Sequence, residues 1–133
     1  MRGHARTIMT PRVTAVAPDT PLADIVRILA AGGFGGVPVT DPEDRVIGFV
    51  SEGDLMDALL RGSVERARAA EVMSSPVITV DEFDTAEDVM QVLRGHGIHH
   101  LPVVRDGKLV GIITPSDIIR WFAGRLPGPP EAG

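Results

Sequence analysis

The chain has 133 residues, enough for one domain or for two small units that share a core. Thirteen Lys and Arg against eighteen Asp and Glu leave a formal charge of −5, which argues against a general nucleic-acid binder, since such proteins carry a basic face. There is no cysteine, so disulfides, thiolate nucleophiles and cysteine-ligated zinc are excluded. No apolar run reaches the roughly 20 residues of a membrane span, and Met1 to Thr10 lacks the hydrophobic stretch of a secretory signal. A cytoplasmic protein with no membrane association is expected, and the scarcity of aromatics (four Phe, one Trp, no Tyr) speaks against base-stacking.

In chain order, Arg2, Arg6 and Arg12 form a small basic arm, expected to be solvated. Val13 to Val16 reads as a strand. A helix follows, with Thr20 as its expected cap, Pro21 at its first position, and Leu22, Ile25, Val26 and Leu29 at the i, i+3, i+4, i+7 spacing of one buried stripe. Gly32-Gly33 stops it. The run Gly32 to Gly36 is glycine-rich but lacks the Gly-Lys-Ser/Thr ending of a phosphate-binding loop. Two strands, Val37 to Thr40 and Arg45 to Val50, flank a turn, and a helix over Glu52 to Leu60 closes the unit. The segment from Arg61 to Glu71 reads as a helical linker.

The same order then returns. Val77 to Val80 is a strand, and Asp84 with Glu87 signals a helix start. Ala86, Val89, Met90 and Leu93 repeat the stripe, and Gly95 to Gly97 stop it. His99 to Val104 and Lys108 to Ile113 flank the hairpin turn Asp106-Gly107, and Ser116 to Phe122 is the closing helix. The match is residue by residue. Met9, Val13, Val16, Asp24, Leu29, Gly33 and Pro38-Val39 recur 64 positions on, and Gly48, Ser51 and Asp54 recur as Gly111, Thr114 and Asp117 at 63. The fold class is therefore α+β, with two tandem β-α-β-β-α units packed about a pseudo-twofold axis. The units run over 8–60 and 72–122, with a linker at 61–71 and a flexible tail at 123–133.

Ser51-x-x-Asp54 and Thr114-x-x-Asp117 each sit where a strand feeds a helix. Two readings share that geometry. The pair can be a capping box, or the hydroxyl and the free N–H groups can hold a phosphate while the carboxylate accepts from a ribose. His99 and His100 are adjacent on a strand and point to opposite faces, so they are not expected to chelate one metal, and no metal site is expected. Trp121 reads as a packing or dimer-contact residue. No nucleophile–base pair recurs, so the chain is not expected to be an enzyme.

Met9-Thr10-Pro11, Val72-Met73-Ser74, Gly36-Val37-Pro38-Val39, His100-Leu101-Pro102-Val103, Gly48 to Asp54 and Gly111 to Asp117 together resemble the cystathionine-β-synthase-type (CBS) domain pair, over about Ile8 to Phe122. That resemblance implies a stand-alone regulatory module with disc-like dimers of pairs. Its clefts would bind adenosine-containing ligands, such as AMP, ADP, ATP or S-adenosylmethionine, and it would signal through a change of shape or oligomer to an effector protein. No cofactor is implied. The implied ligand-binding residues are Thr14, Gly36, Pro38, Ser51, Asp54, Ile78, His99, His100, Pro102, Thr114 and Asp117. The clefts are expected to be unequal. The phosphate-competent one would use Thr114, Asp117, His99 and His100, because the first repeat carries Gly35-Gly36 in place of the two histidines. The alternative is a structural or protein-interaction module that binds no nucleotide.

Overall fold

The two long helices form where the apolar stripes predict them. In the computed structural model, which describes residues 2–128, they are α2 (Leu22–Gly32) and α5 (Ala86–His96). Leu22, Ile25 and Leu29 are buried on one, and Ala86, Val89 and Leu93 on the other. Both end on a glycine in the left-handed region, Gly33 at φ 67° and Gly97 at φ 61°, whose N–H donates back to Leu29 or Leu93. The expected caps differ. Pro21 precedes α2 without a side-chain cap, and the Thr20 hydroxyl instead accepts from Ala17 N–H at 3.1 Å. Thr85, not Asp84, caps α5 by accepting from Asp88 N–H, while Asp84 closes the preceding turn by accepting from Asp81 N–H.

Each helix covers an antiparallel hairpin: β2 (Gly36–Thr40) with β3 (Val46–Ser51), and β5 (Leu101–Arg105) with β6 (Lys108–Ile113). Asp106 and Gly107 both have positive φ (51° and 79°), as a two-residue turn between right-twisted strands requires. The closing helices are α3 (Glu52–Leu60) and α6 (Pro115–Ala123). The first strand of each unit is shorter than its sequence suggests. Only Val16 bridges to Val39 in the first unit, and only β4 (Val80–Asp81) pairs, in parallel, with β5 in the second. Residues 13–15 and 77–79 run outside any ladder.

The expected linker helix is confined to one turn, α4 (Ala69–Val72), and an equivalent turn, α1 (Ala5–Ile8), lies in the arm expected to be solvated. These two turns are exchanged between the units. Ala5 N–H and Arg6 N–H donate to Asp84 O and Glu82 O of the second unit, at 2.8 and 2.9 Å. Ala69 N–H and Ala70 N–H donate to Thr20 O and Pro18 O of the first, at 2.9 and 2.8 Å. Both Ala5 and Ala69 are completely buried. The crossing continues in the sheets. β1 (Thr10–Pro11) adds to the edge of β6, while Ser74 pairs with Phe49 of β3. The strand orders are thus β1-β6-β5-β4 on one side and Ser74-β3-β2-Val16 on the other. Two separate apolar cores result, one behind each sheet.

The residues exposed on the closing helices divide cleanly. Leu55 and Ile118 face the cores, and Trp121 is half-buried against Gly3. Met56, Leu59 and Leu60 on α3 and Ile119 and Phe122 on α6 face outward, Leu60 at 87% exposure. Of the expected tail at 123–133, Ala123 still belongs to α6, the Arg125 guanidinium lies 4.8 Å from the Trp121 ring centre, and residues 129–133 lie outside those described.

Met9 lies over Gly111, and Met73 over Gly48. A Cβ added at either glycine would overlap the methionine side chain from its sulfur inward. Gly48→Ala and Gly111→Ala should therefore each lower stability by about 1–3 kcal/mol, the usual cost of overpacking. Met73→Ala and Met9→Ala, respectively, should recover part of it in the same background. Urea unfolding of the singles and doubles measures this; additive losses would mean that the exchanged segments are not held at these glycines.

Candidate functional site

Because the opening segments cross, neither cleft belongs to one repeat. The first, about 260 Å³, lies between Thr10 to Thr14 and Phe34 to Gly36 of the first unit and Ile112, Thr114, Asp117 and Arg120 of the second. The second, about 440 Å³, lies between Ser51 to Gly53 of the first unit and Ser74, Pro76 to Ile78, Ile98 and His99 of the second. Their sizes fall around the lower end of the roughly 300–1,000 Å³ of small-molecule sites. His100 and Gly35 border both clefts and form the wall between them.

The helix starts supply the polar groups. Ser51 Oγ accepts from Asp54 N–H at 3.1 Å, and Asp54 Oδ2 accepts from Ser51 N–H at 2.9 Å, a reciprocal cap. The second copy does the same and more. Asp117 Oδ2 accepts from Thr114 N–H at 2.8 Å and from the Thr114 hydroxyl at 3.1 Å. Its Oδ1 accepts from the Thr10 hydroxyl, across the repeats, at 3.0 Å and from the Arg120 guanidinium. Asp117 is 5% exposed, a buried carboxylate held by an ion pair and by hydroxyl and backbone donors.

This arrangement corrects the expected pairing of groups. Thr114 and Asp117 share a cleft with Thr14, Gly36 and one face of His100, whereas Ser51 shares one with Ile78, His99 and the other face of His100. The cleft with Gly35-Gly36 is not short of cations, because Arg12 and Arg120 line it. The cleft with the histidine pair carries Glu52. Pro38 and Pro102 lie fully buried in their strands and line neither cleft; Asp54, half-buried at its helix start, lines neither as well. The sequence reading expects clefts between the repeats but groups the polar residues of each cleft by repeat, and the exchange of opening segments changes that grouping.

His100 is half-buried and stacked on Phe49, ring centres 5.2 Å apart. Burial pushes its pKa below the ordinary histidine range, with the neighbouring His99 acting the same way and Glu52 opposing. The ring therefore stands as a mainly neutral wall near pH 7. His99 is exposed. A Cβ at Gly35 would fall 2.6 Å from His100 Nε2, so glycine lets this wall close. Away from both clefts, Glu82 is buried under a two-pronged bond from Arg105, at 2.7 and 2.8 Å, which holds its carboxyl below the usual range. Among the described residues no group of three or more His, Cys, Asp or Glu side chains is placed to hold a metal ion. None of the described helices is long and apolar enough to cross a membrane.

Thr10, Arg12, Phe34, Glu52 and Arg120 are lining residues that sequence reasoning missed. A signal existed for two of them: Arg120 stands one turn after Asp117 where the first copy has Asp57, and Arg12 stands where the second copy has Pro76.

Comparison with known proteins agrees with this architecture. An uncharacterized protein of Methanocaldococcus jannaschii is 29% identical over 115 residues, 86% of this chain and 41% of that protein. An uncharacterized protein of Methanopyrus kandleri is 32% identical over 107 residues, 78% of this chain and 55% of that protein. The chain thus spans about half the length of these curated relatives. Hypoxic response protein 1 of Mycobacterium tuberculosis is 27% identical over 87% of this chain and 82% of its own. A solved structure of hypoxic response protein I, with two coordinated zinc ions, superposes with a TM-score of 0.82 at 28% identity, covering 94% of this chain and 100% of that one. The crystal structure of CBSX2 in complex with AMP superposes with a TM-score of 0.80 at 29% identity, over 92% of this chain and 97% of that one. The CBS domain model matches residues 5–61 and again 69–124, so the chain belongs to the CBS-domain family as a tandem pair.

Proposed function

We propose that the chain is a regulatory module that binds an adenosine-containing ligand, AMP, ADP, ATP or S-adenosylmethionine, in the clefts between its repeats. It acts without a catalytic step or required cofactor, in the cytoplasm, by changing shape or assembly before an effector protein. The observation that carries this reading is the first cleft. There a buried carboxylate, Asp117, and the Thr114 hydroxyl stand opposite the exposed backbone of Thr14 and beside Gly36, with two arginines at the rim. A carboxylate suits paired ribose hydroxyls, and arginines suit phosphate. The likeness to CBSX2, whose structure contains AMP, supports the same choice. Thr14, Gly36, Thr114 and Asp117 are proposed for the first cleft, and Ser51, Ile78, His99 and His100 for the second.

One observation favours a second reading, an interaction module without nucleotide: both Asp117 oxygens are already engaged within the protein. Calorimetric titration with AMP, ATP and S-adenosylmethionine separates the two. Asp117→Asn can still accept from Thr114 N–H and so keep the cap. It should lose less stability than Asp117→Ala while losing at least about tenfold in affinity, or 1.4 kcal/mol. Asp117→Ala should also lose about 1 kcal/mol of stability with the cap. Heat changes absent for every ligand would leave only the interaction reading.

The exposed apolar faces of α3 and α6 are proposed as the contact of a symmetric homodimer, since Met56, Leu59, Leu60, Ile119 and Phe122 all face outward. Sedimentation at micromolar concentration should show a dimer, and Leu60→Asp with Ile119→Asp should shift it to monomer. A wild-type monomer would refute this assembly.

A further inference from the structure

We propose that Arg120 reads phosphate in the first cleft, and that its ion pair with Asp117 is a latch that makes nucleoside binding there depend on the phosphate. This rests on the adenosine reading above and names the chemical class that the cleft accepts: a phosphorylated nucleoside, not an uncharged one.

The latch follows from counting acceptors. A carboxylate offers about four lone-pair directions. On Asp117 all four are used, by Thr114 N–H and hydroxyl on Oδ2 and by the Thr10 hydroxyl and Arg120 on Oδ1. Ribose hydroxyls can reach this carboxylate only by displacing a donor. The Thr114 groups belong to the helix cap, and Thr10 is fixed in β1 against β6. Arg120 is the donor free to leave, with a side chain 69% exposed at the cleft rim. An uncharged nucleoside that displaces it breaks a charge-assisted bond and leaves the guanidinium to water alone. A phosphate returns an equivalent two-pronged partner, so the guanidinium can move from carboxylate to phosphate as the ribose takes its place. Arg12 on the opposite rim adds a second cation.

The other cleft lacks both arginines of this device. Asp57 stands where Arg120 would be, Pro76 where Arg12 would be, and Glu52 lines the cavity. Asp54 Oδ1 accepts no hydrogen bond among the described residues. The pseudo-symmetry of the backbone is thus broken in charge, and the anion preference falls on the first cleft alone.

The test follows adenosine and AMP titrations of the full chain at the amide resonances of Thr14 and Gly36, which border the first cleft but not the second. The wild type should prefer AMP to adenosine by at least about tenfold. Arg120→Gln should lose that preference by weakening AMP while leaving adenosine unchanged or tighter, since the latch is gone. Arg120→Lys, which keeps the charge without the fork, should fall between, and serves in place of the glutamine variant if that one does not fold. Equal wild-type affinity for adenosine and AMP, or a parallel loss of both in the variants, would overturn the latch and leave the adenosine reading standing. No response to either compound, or to ATP and S-adenosylmethionine, would overturn both.

Discussion

Ala5 and Ala69 are both shut off from solvent, and each is covered by the repeat that it does not open. The exchange of these short segments is the constraint on which the rest depends. A unit of about 50 residues buries too little surface to stand alone. Here each unit is completed by a helical turn and an edge strand lent by the other. The turns bury an alanine each, and a Cβ has no room at the glycines beneath Met9 and Met73, so small residues lie at four places where the two halves approach.

The clefts are a by-product of that exchange. After the edge strand, each lent segment passes in front of the partner unit's helix start before joining its own sheet. Residues 13–15 and 77–79 make no ladder there, and Val13, Thr14, Val77 and Ile78 among them line the clefts. The polar groups at the helix start serve the structure and, on the proposed reading, recognition as well. Asp117 closes a cap, receives Thr10 from the other unit and neutralises Arg120. A group so placed couples the cleft to the crossing of the chain: disturbing its hydrogen bonds disturbs the tie between repeats. On the proposed reading, that coupling is the physical route from ligand to shape.

Much of the fold was legible because it is local. The stripes of Leu22, Ile25 and Leu29, the glycines at 33 and 97, and the Asp106-Gly107 turn act within a few residues of themselves. The crossing was not legible, because Met9 and Gly111 lie a hundred residues apart and nothing in either predicts the other as its partner. The candidate site suffered for the same reason. Its residue types were readable, and His100 does share a cleft with Thr114 and Asp117, but His99 lies in the other one, and the chain brings Thr14 and Gly36 of the first repeat to Thr114 and Asp117. Arg120 escaped notice because helix periodicity marks it as a solvated residue; its value lies in the buried carboxylate one turn before it.

The central claim is that a ligand is held by both repeats at once. A crystal structure of the protein with AMP tests it most directly. The account predicts one nucleotide touching Thr14 and Gly36 on one side and Thr114, Asp117 and Arg120 on the other. A nucleotide held with its ribose on Asp117 and its phosphate on His99, within one repeat, would contradict it.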